Sequence, residues 1–498
     1  MVMRHLHILS PRRLRLPIVA ALLVGLLLAA PAVVVHAATL CVNFGGTGGC
    51  FSAIGAAVGN ASDGDTITVA PAIYYEHDIT IVTSITISGS GGATLDAGGL
   101  GRGFIIQQGA AVTISGLTVR GGNVGGNSSG GGIDNTNGDV SLVNCLIQYN
   151  SNVGINGAGG IANGGTLALS GTTVSDNTTT SSGGAGGGIV NIRGSTLTVT
   201  NSTIQYNTAP QGGGIGNNGT VMVTNSTLVG NRADSSIGGG GGIYNNGSST
   251  VTVTNSTFSN NSARFGGGGI LSGGTLMMTN STLVGNYADG ANGKGGGIYS
   301  GGTLTMTNST LVGNSASTGG GIYGTAPLTA INTLIAGNTA AGTGPDVGGT
   351  FAAGSKNNLL GIDSGSSGIT DNDANHNIVG HPAMVDPTLR NNGTTNGTRT
   401  LALLPGSPAI DHGDDATCTN TTGIAPVAGK DQRGIARPQP AGGHCDIGAY
   451  ELIPTRPAPP PRPGPVLGPP PPAPIPPSRS AGAPVSGGPP APIPMPRR

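Results

Sequence analysis

The sequence predicts an all-β solenoid, a parallel β-helix of roughly eleven coils with an N-terminal cap helix and an irregular C-terminal cap. Two observations carry that expectation. The first is a repeat. Between Gly130 and Asn338 a glycine run ending in Ile is followed eight times by a strand-like stretch and a closing Asn. The Ile members are Ile133, Ile161, Ile189, Ile215, Ile243, Ile270, Ile298 and Ile322, and the Asn members are Asn150, Asn177, Asn207, Asn231, Asn261, Asn286, Asn314 and Asn338. From Ile to Asn the count is 16 to 18 residues, whereas from Asn to the next Ile it is 8 to 12. One part of the unit is held in length and the other is free. The second observation is alternation. Leu197/Val199, Val221/Val223, Val251/Val253, Leu276/Met278 and Leu304/Met306 sit two apart, the period of a strand with one buried face. Such short strands with no helical period cannot build βαβ units, and identical units would not alternate direction as hairpins do. Coils of three short strands, stacked on their copies as parallel sheets, satisfy both observations.

Taken in chain order, residues 1–37 read as a secretory signal peptide: Arg4, Arg12, Arg13 and Arg15, an apolar run from Leu16 to Val35, then a small-residue site ending at Ala37. The alternative is an uncleaved anchor, which Pro17 and Pro31 disfavour. Residues 38–63 form the N-terminal cap, where Phe51, Ile54, Ala57 and Val58 after Ser52 make an amphipathic helix that closes the stack. Residues 64–350 are the β-helix. Its first coils are degenerate, at Asp65–Val69, Ile85–Ile87 and Val112–Ile114. Residues 351–453 form a C-terminal domain, and residues 454–498, with 20 of the 34 prolines, an extended disordered tail. That tail either lies against an anionic envelope or has no partner. No later segment is apolar enough to span a bilayer.

Stacked coils put identical side chains about 4.8 Å apart, so their asparagines can form amide ladders. Two columns are expected: the closing asparagines above and those of the Asn-Ser-Thr corners, Asn201, Asn225, Asn255, Asn280 and Asn308. The glycine runs supply positive φ where a coil turns. Sequons that coincide with the ladder are therefore read as structure, not as glycosylation sites. Export implies local disulfides, Cys41 with Cys50 and Cys418 with Cys445. Cys145, which stands where later units carry Ser202, Ser226 and Ser256, is a packed thiol.

The formal charge is zero, but the signal region and the tail contribute only bases. The body between them carries 12 basic against 21 acidic residues, which makes nucleic acid an unfavourable partner. Acids of the regular stack (Asp134, Asp139, Asp176, Asp234, Asp289, Asp346) share no repeat position, and the stack has no His. No catalytic residue, metal site or cofactor is expected from it. Asp371-Asn372-Asp373-Ala374-Asn375 has calcium-like oxygen spacing but lacks the Gly and distal Glu of a calcium loop. Paired threonines such as Thr198/Thr200 suit strands on their own account, and Met222 and Met277 interrupt the column. All length variation falls on one edge of the rod, and the loops there hold Arg232, Asp234, Arg264, Phe265, Tyr287, Asp289 and Lys294. These are the candidate binding residues; drifting surface loops are the alternative.

The Gly-Gly-Gly-Ile … Leu-Val-Gly-Asn unit resembles the paired GGA(I/L/V) and FxxN repeats of polymorphic outer membrane proteins, with Phe258-Ser259-Asn260-Asn261 the nearest match. More broadly it resembles the pectate-lyase-like right-handed β-helix superfamily, which implies a right-handed coil. Ser407–Asp411, Asp431–Pro438 and Cys445–Glu451 are similar to the choice-of-anchor Q domain, which implies surface display, although no sorting motif follows here. Asp411, Asp431, Arg433, Arg437 and Asp446 are read as paired charges closing the end of the solenoid. These resemblances imply an exported bacterial scaffold, secreted or at the cell surface (the outer membrane included), adhesin-like, and binding polysaccharide or envelope and matrix material through its edge loops. The alternative is a carbohydrate-active lyase or hydrolase with its site in the coils before Gly130.

Overall fold

A computed structural model describes residues 37–125, 130–155, 157–180, 186–394, 397–422 and 426–454. The signal-peptide and tail readings fall outside the described residues. The chain is an all-β right-handed parallel solenoid. Sheet A has twelve strands, from Thr39–Val42 to Thr329–Ile331; sheet B has thirteen, from Ile73–Tyr75 to Ile378–Val379. Sheet C has twelve, from Ile79–Ile81 to Ser366–Ser367, and sheet D nine, from Asn123–Val124 to Thr339–Ala340. Every regular coil thus has four strands where three are expected from the sequence. The fourth is only two residues long, as at Ser262–Ala263, too short to show a period. All pairings between these strands are parallel and in register, so Val221 stacks on Val251 and Val251 on Leu276.

Alternation sends every second residue inward, where one continuous core runs from Val42 to Val379. Phe258, the one aromatic among the apolar residues that open the closing motif, is fully buried in it. The open N-terminal end is plugged by α1, Ile54–Asn60, whose Ile54, Ala57 and Val58 face the core. Its first amides are capped from another coil: Ile54 N donates to Glu76 Oε1 at 2.6 Å and Gly55 N to Oε2 at 2.8 Å. The strand Thr39–Val42, tied back by the Cys41–Cys50 disulfide, adds a coil ahead of the degenerate ones. At the other end, strands of sheets B and C continue past Thr350 to Val379.

The closing asparagines make a continuous ladder. From Asn150 to Asn338 each Nδ2 donates to the Oδ1 of the next coil at 2.9–3.0 Å, and each backbone N donates to that same oxygen. The last rung is the buried Asp346, whose Oδ1 accepts both Asn338 donors while its Oδ2 accepts Ile362 N at 2.7 Å. A carboxylate suits this terminus because both of its oxygens must accept. A second ladder, not foreseen, runs through Asn135, Asn163, Asn191, Asn217 and Asn245 at 2.8–2.9 Å and ends on Ser272.

The Asn-Ser-Thr corners differ from expectation. Their asparagines hold φ of +46° to +50°, a left-handed single-residue turn between sheets A and B, and Asn255 Nδ2 donates to Asn225 Oδ1. Asn tolerates that conformation better than other L-residues. The hydrogen-bonded column lies one residue on, where Ser202 N donates to Ser226 Oγ, Ser226 N to Ser256 Oγ and Ser256 N to Ser281 Oγ. Cys145 begins this column, its thiol donating to Ile114 O, and burial pushes its pKa up. Because the turn projects its Asn outward, Asn201 is exposed, so the reading of all such sequons as buried fails there. The glycine runs also divide their work. Gly240 alone takes positive φ, at 77°, while a Cβ on Gly242 would lie 2.6 Å from Gly269 O of the next coil.

Two variants separate these columns. Asn231→Ala orphans the buried donors of Asn207 and should lower unfolding free energy by about 3 kcal/mol in chemical denaturation. Asn201→Gly, at an exposed left-handed turn, should change it by less than about 1 kcal/mol.

Candidate functional site

Each edge loop leaves the rod after a two-residue sheet D strand and returns at the glycine run that starts sheet C. The loops therefore border the outward face of sheet C. On that face Tyr244, Leu271, Tyr299 and Tyr323 stack in direct register, one per coil. The rings of Tyr299 and Tyr323 are 5.4 Å apart and nearly parallel at 19°. Phe265, from an edge loop, leans on Tyr299 at 5.9 Å. Lys294 Nζ lies 4.8 Å from the Tyr323 ring centroid and 3.5 Å from its hydroxyl. A cation over a ring face adds attraction that dispersion alone does not supply.

The seven expected edge residues thus divide into groups. Phe265 and Lys294 join the aromatic stack. Arg232 is neutralised locally, its guanidinium 2.5 Å from Asp234 and 3.2 Å from Asp289. Tyr287 is partly exposed on sheet D, directly after Ser262 in register. Arg264 is exposed beside a cavity of about 190 Å³ that Phe265 and Asn292 also line. The tyrosines at 244, 299 and 323 lie on strands of constant length, where loop-length variation gives no signal. Their signal was the recurrence of Ile-Tyr after the glycine run, at Ile243, Ile298 and Ile322.

Other candidate chemistry resolves into structure. Asp373 accepts from Thr370, Asn375 and Asn377, and Asp371 from Val379 and His381, so the calcium-like segment spends its carboxylates on its own turn. Among the described residues no three His, Cys, Asp or Glu side chains are grouped to hold a metal ion. In the irregular coils, Arg102 sits between Asp134, at 3.4 Å, and Asp78, at 3.7 Å. No described helix is long and apolar enough to cross a membrane.

The charges of the last block are paired, but not across the end of the solenoid. Arg433 binds Asp431 and stacks 3.6 Å over Tyr450. Arg437, fully enclosed, binds Glu451 Oε2 at 3.1 Å and the carbonyls of Asp446 and Gly448. Asp446 accepts from the amides of Asp411 and Leu452. This cluster clamps the final segment of the block to the block itself. The block then lies on the flank of the rod, over sheet B. Gln432 bonds Thr257 and Thr282, Asn280 donates to Lys430 O, and Ala449 N donates to Thr310. The Cys418–Cys445 disulfide sits against the corner at Asn332. The end was the wrong place to expect it because Phe351, Ile369 and Val379 already close the core there.

Comparison with known proteins agrees with this architecture. Residues 170–340 match the family described as the right-handed beta helix region. No curated protein sequence matches the chain. Among solved structures, the pectate lyase Pel9A is similar at a TM-score of 0.40 and 14% identity, over 84% of this chain and 96% of that one.

Burial raises Glu451 to about 7 from 4.5, with the neighbouring Asp446 adding to the rise and Arg437 opposing it. The folded chain then binds this proton more tightly than the unfolded one. Its contribution to stability is fully present below pH 4.5 and is lost as the pH rises through about 7. Thermal melts should accordingly show a lower midpoint at pH 8 than at pH 5. Glu451→Gln, uncharged like the protonated carboxyl, should flatten that slope.

Proposed function

We propose that the protein is an exported, adhesin-like bacterial scaffold that binds a polysaccharide of the envelope or matrix along the outward face of sheet C. The observation that carries this is the Phe265, Tyr299 and Tyr323 stack with Lys294 beside it. The outward edges of these stacked rings offer an apolar contact surface for sugar rings, and the phenol and ammonium groups supply donors to hydroxyls. Loops of varied length along one side would set which glycan fits. Export is supported by two disulfides, which persist in oxidising compartments. The C-terminal block, similar in its motifs to the choice-of-anchor Q domain, would serve surface display.

Affinity electrophoresis of the purified protein through gels containing neutral glycans or polyuronides tests the binding role. The expected result is retardation by at least one polymer, with no new reducing ends in solution. Tyr299→Ala with Tyr323→Ala should weaken retardation at least about tenfold, the equivalent of about 1.4 kcal/mol. Release of reducing ends or unsaturated ends by the wild type would instead establish an enzyme.

A further inference from the structure

A different face of the rod presents a second arrangement suited to a ligand. Sheet B turns into sheet D through one left-handed residue per coil. In consecutive coils this column reads Tyr149, Asp176, Tyr206, Gly230 and Asn260, all with positive φ. Tyr149 and Tyr206 are 62% and 56% exposed. They are two coils apart, hence about 10 Å along the axis. The Cδ1–Cε1 edge of Tyr206 rests on Gly230, where a Cβ would lie 2.5 Å from Cε1. The missing side chain lets the ring lie against the rod.

Next to these rings the outward residues of sheet B are polar: Gln148, Ser175 and Gln205 in direct register, with Thr203 and Thr227 beside them. Among the described residues, neither glutamine side chain nor Asp176 has a hydrogen-bond or ion-pair partner. The strip ends where the C-terminal block begins, in a cavity of about 340 Å³ lined by Thr203, Gln205, Tyr206, Thr257, Leu389 and Arg399, among others. The backbone of Arg399 is pinned to the rod, its carbonyl accepting from Thr257 Oγ1 at 2.7 Å and from Gln432 Nε2 at 3.3 Å. Arg399 is exposed and, among the described residues, makes no ion pair. The body around it is acidic, so an unneutralised Arg at a pinned position in a cleft is a specific feature.

We propose that this strip is a second saccharide site, independent of the sheet C face, that takes a linear acidic oligosaccharide. Sugar rings stack on Tyr206 and Tyr149, whose separation suits alternate residues of an extended chain. Hydroxyls bind Gln148, Asp176 and Gln205, and a carboxylate or sulfate at one end pairs with Arg399. Asp176 disfavours an acidic group at the middle of the strip, which sets the direction of the charged end.

Isothermal titration of the full chain with cellohexaonic acid, which carries one terminal carboxylate, against uncharged cellohexaose tests this. The expected result is binding of the acidic oligomer that falls at least about tenfold in Arg399→Ala and in Tyr206→Ala, with salt weakening the wild type. Both residues are exposed, and unchanged melting of the variants will show that the fold is intact. Tyr299→Ala with Tyr323→Ala should leave this binding unchanged, so failure of the sheet C site and failure of this one are distinguishable. Equal affinity for cellohexaose, or acidic binding untouched by Arg399→Ala, would overturn the proposal, as would no binding at all.

Discussion

The constraint on which everything else depends is coil-to-coil register. A strand of two to five residues cannot hold itself, and its coil cannot bury its own apolar face. What fixes each coil over the next is a buried amide at a repeated place, donating and accepting in the same direction at every level. A slip by one residue would empty the Asn150–Asn338 ladder and turn the core aliphatics outward together. The cost of orphaning even one such group is comparable to a fair part of a domain's net stability. The ladder therefore converts a weak local preference into a rigid rod, and it tolerates no substitution that the intervening loops could absorb.

Rigidity of the coils is what lets the outside of the rod vary. Outward positions are free to carry Thr, Tyr, Asp or Met without disturbing the stack, because only inward positions and ladder positions are shared. Three consequences share that one surface logic. On sheet C the free position became an aromatic column. On sheet B the same freedom gave the Tyr149/Tyr206 strip in the earlier coils. Further along sheet B, Thr257, Thr282 and Thr310 and the corner asparagines Asn280, Asn308 and Asn332 are covered by the C-terminal block and bond to it. The corner asparagines illustrate the change of role: exposed at Asn201, they are buried at Asn280, Asn308 and Asn332.

The sheets, the core and the closing ladder were legible because each repeats, and repetition turns a faint period into a clear one. The Asn135–Asn245 ladder is repeated as well, but it sits two residues after the conspicuous Ile and stops at Ser272, so its column covers only five of the eight units. The corner asparagines were misassigned because sequence spacing shows that a column exists but not whether its side chains point in or out. That depends on the sign of φ at a single residue. The two-residue strands of sheet D carry no internal period, so no pattern could announce them.

By itself, then, the sequence determined the rod: its strands, its parallel stacking, the inward residues and the edge on which loops emerge. These follow from local spacing, and local spacing is written along the chain. Only the tertiary structure decided which surface residues meet. The Phe265–Tyr299 contact, the clamp of Arg437 on Glu451 and the Arg399 cleft join residues 14 to 196 positions apart, since the cleft pairs Arg399 with Thr203. Such meetings depend on how one irregular block packs on a regular one, and no periodicity encodes that.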